Sequence, residues 1–346
     1  MKIWFDILTP KQLLFFEPMI KRLERKNKLL CTSRKYREAN QLAKIRKLKL
    51  SIIGKHGGGE NFVKLQSSAD RIQKLSTIVK KFSPDLTISF CSPEAARVSY
   101  GLGIKHIAFC NAPHAEAVMK LSVPLVQKLL IPKHIPKDEF AKYGISKKNI
   151  IQYNAMDEYM IVKGGSYRSS ASTLFLPKPK TILIRTHELK AAYFSSKINI
   201  IKIIKKIAKE FSNCNIVILG RYSDEINFLK KQFSKKLIVL DKVVDSGEIL
   251  VRCDVFIGSG GTMTSEAVLR GVPTISYDAV PNLDEKYLVR KGLVKRAKSS
   301  NQIIKLVTKL LNSDNDKFKK NTQKFLDSME DPYLKLVETI RIIKKQ

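Results

Sequence analysis

The chain has 346 residues, 44% of them hydrophobic, and a formal net charge of +33. A chain of this length can bury a large core and is expected to form two domains rather than one. It has no apolar run near the roughly 20 residues that cross a bilayer, and its first residues, Met-Lys-Ile-Trp-Phe-Asp, show no signal-peptide h-region. We therefore expect a cytoplasmic protein.

Cysteines and metal-ligand patterns offer no sign of a disulfide framework or a metal centre. The five cysteines are scattered and include no C-x-x-C pair, and four lie in or beside apolar strand-like runs. Reduced core thiols are the expected state. No H-x-x-x-H helix and no carboxylate cluster with metal spacing occurs in the sequence. We predict no protein-bound metal.

The positive charge is the unusual feature of the composition. It admits nucleic acid, anionic lipid headgroups or acidic substrates as partners. Lysine and arginine lie on the polar side of amphipathic patterns along nearly every predicted helix, as in Lys202-Ile-Ile-Lys205-Lys206. Because zinc-finger spacing and an aromatic-rich RNA-binding signature are both missing, nucleic acid is an unlikely partner. An ordinary solvated surface and peripheral attraction to an anionic inner membrane face both stay open.

The N-terminal half alternates predicted strands and helices. The predicted strands are Lys2–Leu8, Leu29–Thr32, Leu50–Ile53, Asp85–Phe90 and Ile104–Phe109. The predicted helices run from Pro10 to about Lys26, from Arg34 to Lys47, from the end of the loop Gly54–Glu60 to Phe82, and from Glu94 to Leu102. Repeated βα units predict a parallel sheet that binds ligands at the carboxyl ends of its strands. Those ends carry Asp6, Thr9, His56 to Gly59, Ser92, Glu94, Asn111, His114 and Glu116.

The pattern loosens after Pro113, and the same alternation restarts near Thr181. Prolines punctuate the intervening segment, where only a brief strand, Leu129–Ile131, is predicted, and Gly164-Gly165-Ser166 marks a linker. We predict an N-terminal domain of residues 1–165, a C-terminal domain of 166–331, and a last helix, 332–346, that packs back on the first domain. Two βα domains in tandem predict a central cleft between them.

The second half contains three further strands before its most informative stretch. The predicted strands are Thr181–Arg185, Asn215–Leu219 and Leu237–Leu240. Three helices are predicted between these strands and the stretch that follows. One comes after Arg185 and runs to about Phe211, and the others span Asp224–Phe233 and Gly247–Arg252. After Tyr277 we predict another helix, a short strand near Leu293 and helices through Gln346.

The stretch from Asp254 to Tyr277 predicts a phosphate-binding loop. It reads as a buried strand, a turn with three glycines, a helix from Thr262 to Arg270 and a second strand opened by Pro273. Glycines let the backbone approach a ligand, and the helix start directs unpaired N–H groups and its positive dipole end into the same space. The predicted anion contacts are Ser259, Gly260, Gly261 and Thr262.

Two alternatives stay open for this loop. A tight turn between parallel strands also needs glycine, and the stretch lacks both the P-loop lysine and the G-x-G-x-x-G spacing. Glu266, one turn into the helix, is placed to reach a sugar hydroxyl beside a bound phosphate. Arg185, at the end of an earlier strand, could pair bidentately with that phosphate.

The loop His56-Gly57-Gly58-Gly59 resembles a hydrolase oxyanion loop. No G-x-S-x-G nucleophile elbow occurs in the chain, so a lipase is excluded. The loop remains a candidate contact for an acceptor or a phosphate, with a flexible surface loop as the alternative.

The layout and the signature Ser259-Gly-Gly…Glu266-Ala…Gly271-x-Pro273 resemble the GT-B superfamily and, within it, the non-hydrolysing UDP-N-acetylglucosamine 2-epimerases. The closer resemblance is to the family of domain of unknown function 354. It rests on Lys2-Ile-Trp-Phe-Asp6, Gly54-Lys-His-Gly-Gly58, Ser92-Pro-Glu-Ala-Ala-Arg97 and Tyr153-Asn154-x-x-Asp157-Glu158.

The resemblance implies an α/β, GT-B-like fold of two Rossmann-like βα domains facing a central cleft. It also implies that a nucleotide-sugar diphosphate lies on Ser259, Gly260 and Gly261, with Glu266 on the ribose hydroxyls. His187 looks like the histidine that an epimerase strand delivers into the cleft, and a histidine bonded to backbone at a helix start is the alternative.

The chain departs from the epimerase pattern at its acids and after the first strand. Thr9-Pro10-Lys11 stands where the epimerases carry an arginine beside a proline, and their first-domain acid pair is not reproduced. An epimerase needs a base and an acid, whereas an inverting transferase needs one base. The candidates for either role are Asp6, Glu94, His114, Glu116 and His187.

We expect a metal-independent glycosyltransferase that uses a UDP-sugar as substrate, without a cofactor, in cell-envelope or glycan biosynthesis. Its acceptor is expected to be lipid-linked or a glycan. The alternatives are an enzyme like UDP-N-acetylglucosamine 2-epimerase and a non-catalytic protein that binds a sugar nucleotide.

Overall fold

The computed structural model describes residues 1–164, 178–186, 200–220, 223–233, 237–277 and 282–345. The chain divides into two compact units. Unit 1 comprises Met1–Gly164 and Met329–Gln346, and unit 2 comprises Gly165–Ser328. Within the described ranges, no helix combines the length and the apolar character needed to cross a membrane.

Unit 1 is built on a parallel sheet. Its strands are β1 (Lys2–Asp6), β2 (Lys28–Lys35), β3 (Ser51–Lys55), β4 (Leu86–Ser89), β5 (Lys105–Phe109), β6 (Lys128–Pro132) and β7 (Ile150–Tyr153). The order across the sheet is β3-β2-β1-β4-β5-β6-β7. Because β1 starts at the centre and the chain builds outward in both directions, β1, β2 and β4 end side by side at the carboxyl edge of the sheet.

The strands of unit 1 are connected by helices. These are α1 (Pro10–Leu23), α2 (Arg37–Ile45), α3 (Asn61–Phe82), α4 (Pro93–Gly101), α5 (Glu116–Ser122), α6 (Asp138–Ala141) and α7 (Glu158–Gly164). The central strands are buried on both faces, as expected for a parallel sheet covered by helices. Four phenylalanines pack edge to face with ring centroids 5.0–6.3 Å apart where α1 meets the sheet: Phe15, Phe16, Phe90 and Phe109.

Two segments of unit 1 differ from the sequence prediction. Strand β2 continues to Lys35, whereas the prediction ended it at Thr32 and put Arg34 in a helix. The pairing of β2 with β3 shifts by one residue between Ser33 and Lys35, which is a β-bulge, and β2 continues beyond it. Strand β7 lies at the edge of the sheet and was not predicted, because it is four residues long and follows a proline-rich segment.

Unit 2 contains a second parallel sheet. Its strands are β8 (Thr181–Arg185), β9 (Asn215–Leu219), β10 (Ile238–Leu240), β11 (Val255–Gly258), β12 (Thr274–Tyr277) and β13 (Val294–Ala297), in the order β10-β9-β8-β11-β12-β13. Alternate residues of each strand enter separate cores: Ile182 and Ile184 lie in one hydrophobic cluster, and Leu183 lies in the other. This period of two shows a sheet covered on both faces.

The described helices of unit 2 are α8 (Ile200–Glu210), α9 (Ser223–Phe233), α10 (Ser246–Leu250), α11 (Thr262–Leu269), α12 (Leu283–Arg290), α13 (Ser300–Leu311) and α14 (Asn315–Asp327). The chain then returns to unit 1 with α15 (Pro332–Lys344). Asp331 caps α15 by accepting from the Tyr333 N–H at 2.9 Å, and it also forms an ion pair with Arg22 of α1. The Glu330 N–H donates to the Asn154 carbonyl at 3.0 Å.

Candidate functional site

The glycine-rich turn of unit 2 lies at the carboxyl edge of its sheet. Ile257 pairs with Ile184 of β8, and Gly258 pairs with Ser276 of β12. The turn therefore follows directly on three neighbouring strand ends, which is where open α/β sheets bind ligands.

The inner side of this turn is fixed by close protein contacts. A Cβ on Gly258 would lie 2.6 Å from a ring carbon of Phe256 and 2.9 Å from Thr264 Oγ1. Gly260 has a φ of +77°, and its N–H donates to Thr264 Oγ1 at 3.2 Å. Asn282 Nδ2 donates to the Gly260 carbonyl at 3.0 Å. These contacts hold the turn in one shape before any ligand arrives.

The outer side of the turn is open. Gly261 is exposed, and a Cβ added there would meet no atom of the described residues within 4 Å. It is the N-cap of α11 and supplies no side-chain oxygen to the first-turn N–H groups. The start of an α-helix leaves such groups without intrahelical acceptors and carries the positive end of the dipole. The arrangement suits an anion of phosphate size, and phosphate contact by Ser259, Gly260, Gly261 and Thr262 stays a prediction.

Glu266 is more enclosed than the sequence analysis expected. The residue is 1% exposed, and its two oxygens accept from different side chains. Ser246 Oγ donates to Oε2 at 2.7 Å, and Arg270 donates to Oε1 at 3.0 and 2.8 Å. Burial raises the pKa of Glu266 against the opposing charge of Arg270. A ribose hydroxyl would have to replace the Ser246 hydroxyl on Oε2. In this structure, therefore, Glu266 is not free to accept from a ribose without that exchange.

Arg185 ends β8 beside the turn. Its Nη1 donates to the Gly220 carbonyl at 2.8 Å, and the Tyr277 hydroxyl donates to the Arg185 carbonyl at 3.3 Å. The guanidinium is thus held against the neighbouring strand end, and its pairing with a phosphate stays a prediction. The other candidate of this segment, His187, lies outside the described residues.

Asp6 lies at the end of β1 in a buried ion-pair network. It is 0% exposed, and Arg71 of α3 donates to both of its oxygens, at 3.1 and 2.5 Å. Thr32 and Ser92 add hydroxyl donors at 2.6 and 2.7 Å. Burial raises the pKa of Asp6, but the charge of Arg71 and these hydrogen bonds outweigh burial and hold the pKa below its usual value.

This geometry corrects the predicted role of Asp6 as a base. A carboxylate with a lowered pKa, no solvent exposure and four hydrogen bonds has no capacity left to take a proton from a substrate. Asp6 instead joins α3 and α4 to the centre of the sheet.

Glu94 stands at the outer side of the same network. It lies in the first turn of α4, and the residue is 7% exposed. Its Oε2 lies 3.4 Å from Ser92 Oγ and 3.7 Å from Arg71 Nη1. Both distances are long, so Glu94 is held less firmly than Asp6. Of the predicted acids, it is the one whose placement suits a base.

His114 and Glu116 do not enter this network. Both residues are exposed on the segment after β5. Glu116 begins α5 and pairs with Lys120 at 2.6 Å, and the hydrogen bond and charge of Lys120 lower its pKa. The structure places Glu116 in an ordinary i,i+4 surface pair, which is weak support for a catalytic role.

The His56 loop lies beside this edge of unit 1. The His56 ring stacks on Tyr36 with centroids 5.2 Å apart, and its Nδ1 accepts from the Gly58 N–H at 3.0 Å. Gly57 is buried, and a Cβ there would lie 2.5 Å from Lys64 Cα. Gly58 has a φ of +70° and open space around it. The loop is therefore an ordered turn with an exposed rim, as a ligand contact requires.

Sequence reasoning missed the cations of this edge. Arg34 and Arg71 lie within the electrostatic reach of Glu94 and Asp6, although the four residues are far apart in the chain. Lys11, which follows Pro10, donates to Asp157 Oδ2 at 2.7 Å. The sequence feature that could have identified them is a charged residue at a position where the pattern predicts an apolar one, as for Arg71 inside a long amphipathic helix.

No group of three or more His, Cys, Asp or Glu side chains converges on a metal-sized point among the residues that the structure describes. The cysteines are free thiols.

The chain belongs to the family described as protein of unknown function (DUF354), whose model matches residues 1–343. An uncharacterised protein of Methanocaldococcus jannaschii is 26% identical over 324 residues, which cover 88% of this chain and 90% of that protein.

Solved structures share the architecture at low identity. The UDP-GlcNAc 2-epimerase of Neisseria meningitidis, bound to UDP-GlcNAc, is 17% identical with a TM-score of 0.75, over 98% of this chain and 99% of that one. The Methanocaldococcus jannaschii UDP-GlcNAc 2-epimerase, in complex with UDP-GlcNAc and UDP, is 16% identical with a TM-score of 0.69, over 94% and 99%. A spinosyn forosaminyltransferase is 13% identical with a TM-score of 0.63, over 99% of each chain. The predicted fold class, two Rossmann-like α/β domains of the GT-B and epimerase type, is confirmed.

Proposed function

We propose that this member of the DUF354 family is a metal-independent glycosyltransferase of the GT-B type that uses a UDP-sugar as its donor. The observation that carries the proposal is the open, uncapped start of α11 behind Gly261, at the carboxyl edge of the unit 2 sheet. Backbone N–H groups at such a point bind the diphosphate of a nucleotide. Two epimerases with this fold were solved with UDP-GlcNAc bound, which supports UDP as the nucleotide.

Transfer is favoured over epimerisation by the state of the acids in unit 1. Epimerisation at a sugar carbon requires one group to remove a proton and another to return it. Asp6 forms a buried ion pair with Arg71, and Glu116 forms an exposed ion pair with Lys120. Glu94 remains as the base, and one base is what an inverting transfer to an acceptor hydroxyl needs.

In this mechanism Glu94 accepts the proton of the acceptor hydroxyl while that oxygen attacks the anomeric carbon. The bond from that carbon to the UDP oxygen breaks, and UDP leaves with its charge stabilised by the start of α11. Arg71 and Ser92 keep the Glu94 carboxylate in place during the step. We infer a lipid-linked or glycan acceptor, with peripheral contact to an anionic membrane as part of the same proposal.

The second candidate function is a nucleotide-sugar 2-epimerase. The observation in its favour is the TM-score of 0.75 to the Neisseria enzyme against 0.63 to the forosaminyltransferase. Both values describe the fold, and the placement of the acids favours transfer.

Gly261→Val tests donor binding. The backbone of Gly261, with a φ of −85° and a ψ of −169°, tolerates valine, and the space beside it is empty, so the variant should fold normally. Calorimetric titration with UDP and UDP-GlcNAc should show binding to the wild type and a loss of at least about 100-fold in the variant, about 2.7 kcal/mol. Gly59→Val in unit 1 is the matched control, because its surroundings are equally open. Wild-type affinity in Gly261→Val would remove the loop from the donor site.

Glu94→Gln tests the chemistry. The reaction is followed by NMR with UDP-GlcNAc and a polyprenyl phosphate or oligosaccharide acceptor. Acceptor-dependent release of UDP supports transfer, and conversion to the 2-epimer without an acceptor supports the second candidate. UDP-sugar binding without either reaction supports a non-catalytic binding protein. In the transferase, Glu94→Gln should lower kcat by about 10²–10⁴-fold with little change in donor affinity.

A further inference from the structure

Arg34 lies at an irregular point of the unit 1 sheet. Ser33 pairs with Ile52 of β3, but the next pair is Lys35 with Lys55, so Arg34 falls inside the register shift. The extra residue belongs to β3, where Ile53 and Gly54 together lie opposite Arg34, so Arg34 keeps its regular place in β2. Arg34 sits near the end of β2, at the same carboxyl edge as Asp6 of the neighbouring β1.

The guanidinium of Arg34 lacks a counter-charge of its own. Its Nε is buried without a hydrogen-bond partner. Within the described part of the chain, no carboxylate oxygen lies within ion-pair distance of it, because Arg71 occupies Asp6 and contacts Glu94. Burial lowers the pKa of Arg34, and the nearby Glu94 opposes that effect only through its charge. Arg34 is half-buried, and a bound oxyanion would give its unpaired Nε–H an acceptor and its charge a direct partner.

Arg34 has cationic as well as acidic neighbours. Desolvation of the His56 ring and the charges of Arg34 and Lys64 lower the pKa of His56. His56 and Gly58 are exposed to solvent. The Tyr36 ring stacks on the His56 ring.

We propose that Arg34 is the anchor of an oxyanion site, in which a phosphate or carboxylate group of the second substrate is bound beside Glu94. An arginine fork matches the planar geometry of two oxygens and binds them bidentately. The description of that substrate as an acceptor rests on the proposed function, whereas the oxyanion site itself rests on unit 1 alone. With the anion on Arg34, an adjacent hydroxyl of the same molecule comes within reach of Glu94.

Inorganic phosphate is the probe for the site. Arg34→Gln should bind phosphate at least tenfold more weakly than wild type by calorimetry, and Arg25→Gln, which removes an exposed arginine of the same unit, should not. Without phosphate, the melting temperature of Arg34→Gln should equal or exceed that of wild type, because a buried N–H without an acceptor is gone. A purely structural arginine would instead give a lower melting temperature and no change in phosphate affinity.

Two further variants keep the test decisive. Arg34→Lys retains the charge without the fork and should bind phosphate with intermediate affinity, which serves even where the glutamine variant folds poorly. Glu94→Gln removes the competing negative charge and should bind phosphate more tightly than wild type. Equal phosphate affinity in wild type, Arg34→Lys and Arg34→Gln would overturn the proposal.

The donor site and the source of the anion are separated by two more measurements. UDP affinity should be unchanged in Arg34→Gln; a parallel loss of UDP and phosphate binding would assign Arg34 to the donor and overturn the acceptor assignment. Vesicles of phosphatidic acid in phosphatidylcholine distinguish a lipid headgroup from a soluble phosphate. Retention that depends on Arg34 supports a lipid-borne group, and retention that ignores Arg34 while inorganic phosphate binding depends on it supports a soluble one.

Discussion

The two sheet edges of this protein offer opposite kinds of chemistry. In unit 1 the edge is filled with side chains: Asp6, Arg71 and Ser92 bind one another, and Glu94 and Arg34 lie beside them. In unit 2 the described part of the edge includes exposed backbone, with Gly261 at a helix start that has no side-chain cap. Backbone donors cannot take up or release a proton, whereas carboxylates can. We propose from this difference that unit 2 binds the donor diphosphate and that unit 1 supplies the proton transfer.

The two edges should also respond differently to substitution, one by losing stability and the other by losing ligand binding. Replacing a member of the unit 1 network leaves its partner as a buried unpaired charge, so stability should fall. Replacing Gly261 disturbs no protein contact, so only ligand binding should fall.

Asp6→Asn should cost about 3–5 kcal/mol of unfolding free energy, because Arg71 would keep its charge without a counter-ion in a buried position. Chemical denaturation measures this loss. Asp70→Asn is the matched control: it removes an acid from an exposed pair with Lys74 on the same helix and should cost less than about 1 kcal/mol. Similar losses in the two variants would show that the Asp6 network does not hold unit 1 together.

Gly258→Ala should cost about 1–3 kcal/mol, because the new methyl group would overlap the Phe256 ring and Thr264. Gly261→Ala, three residues along the same turn, should change stability by no more than about 0.5 kcal/mol. Thermal unfolding of both variants compares the inner and outer sides of the loop. Equal destabilisation by the two alanines would contradict the open outer side.

His106 should make unit 1 sensitive to mild acid. The residue is fully buried on β5, Nε2 lies 2.9 Å from Ser89 Oγ, and burial lowers its pKa to about 3, against the opposing charge of Asp6. Between that value and the unfolded pKa near 6.5, only the unfolded state takes up a proton. Stability therefore falls with pH below about 6.5, by about 1.4 kcal/mol at pH 5.5.

The variant His106→Asn provides the check on this pH effect. Unfolding free energies of wild type and variant at pH 7.5 and 5.5 should differ in their pH dependence by that amount. The same change in unfolding free energy from pH 7.5 to 5.5 in both proteins would show that His106 is also protonated at pH 5.5 in the folded protein.

The sequence was sufficient for the features that are local in the chain. The alternation of strands and helices, the strands Thr181–Arg185 and Asn215–Leu219, and the glycine turn with its helix are as predicted. Each of these depends on hydrophobic periodicity or on glycine conformations that neighbouring residues reveal.

The sequence was insufficient where the site depends on distant residues. Asp6 and Arg71 are 65 positions apart, so their pairing, and with it the loss of Asp6 as a base, requires the sheet order. Arg34 was placed in a helix because its neighbours are polar, and only the register with β3 shows the bulge. Glu266 was predicted to bind a ligand because its actual partner, Ser246, lies on another helix and the sequence does not show that they meet.

The central claim is that the turn after β11 binds the nucleotide diphosphate. Hydrogen exchange of backbone amides, measured with and without UDP, tests it at the groups concerned. We predict that UDP slows exchange most in peptides covering residues 258–266 and that Gly261→Val abolishes this protection. UDP binding that leaves these amides unprotected, with protection elsewhere in the chain, would contradict the account.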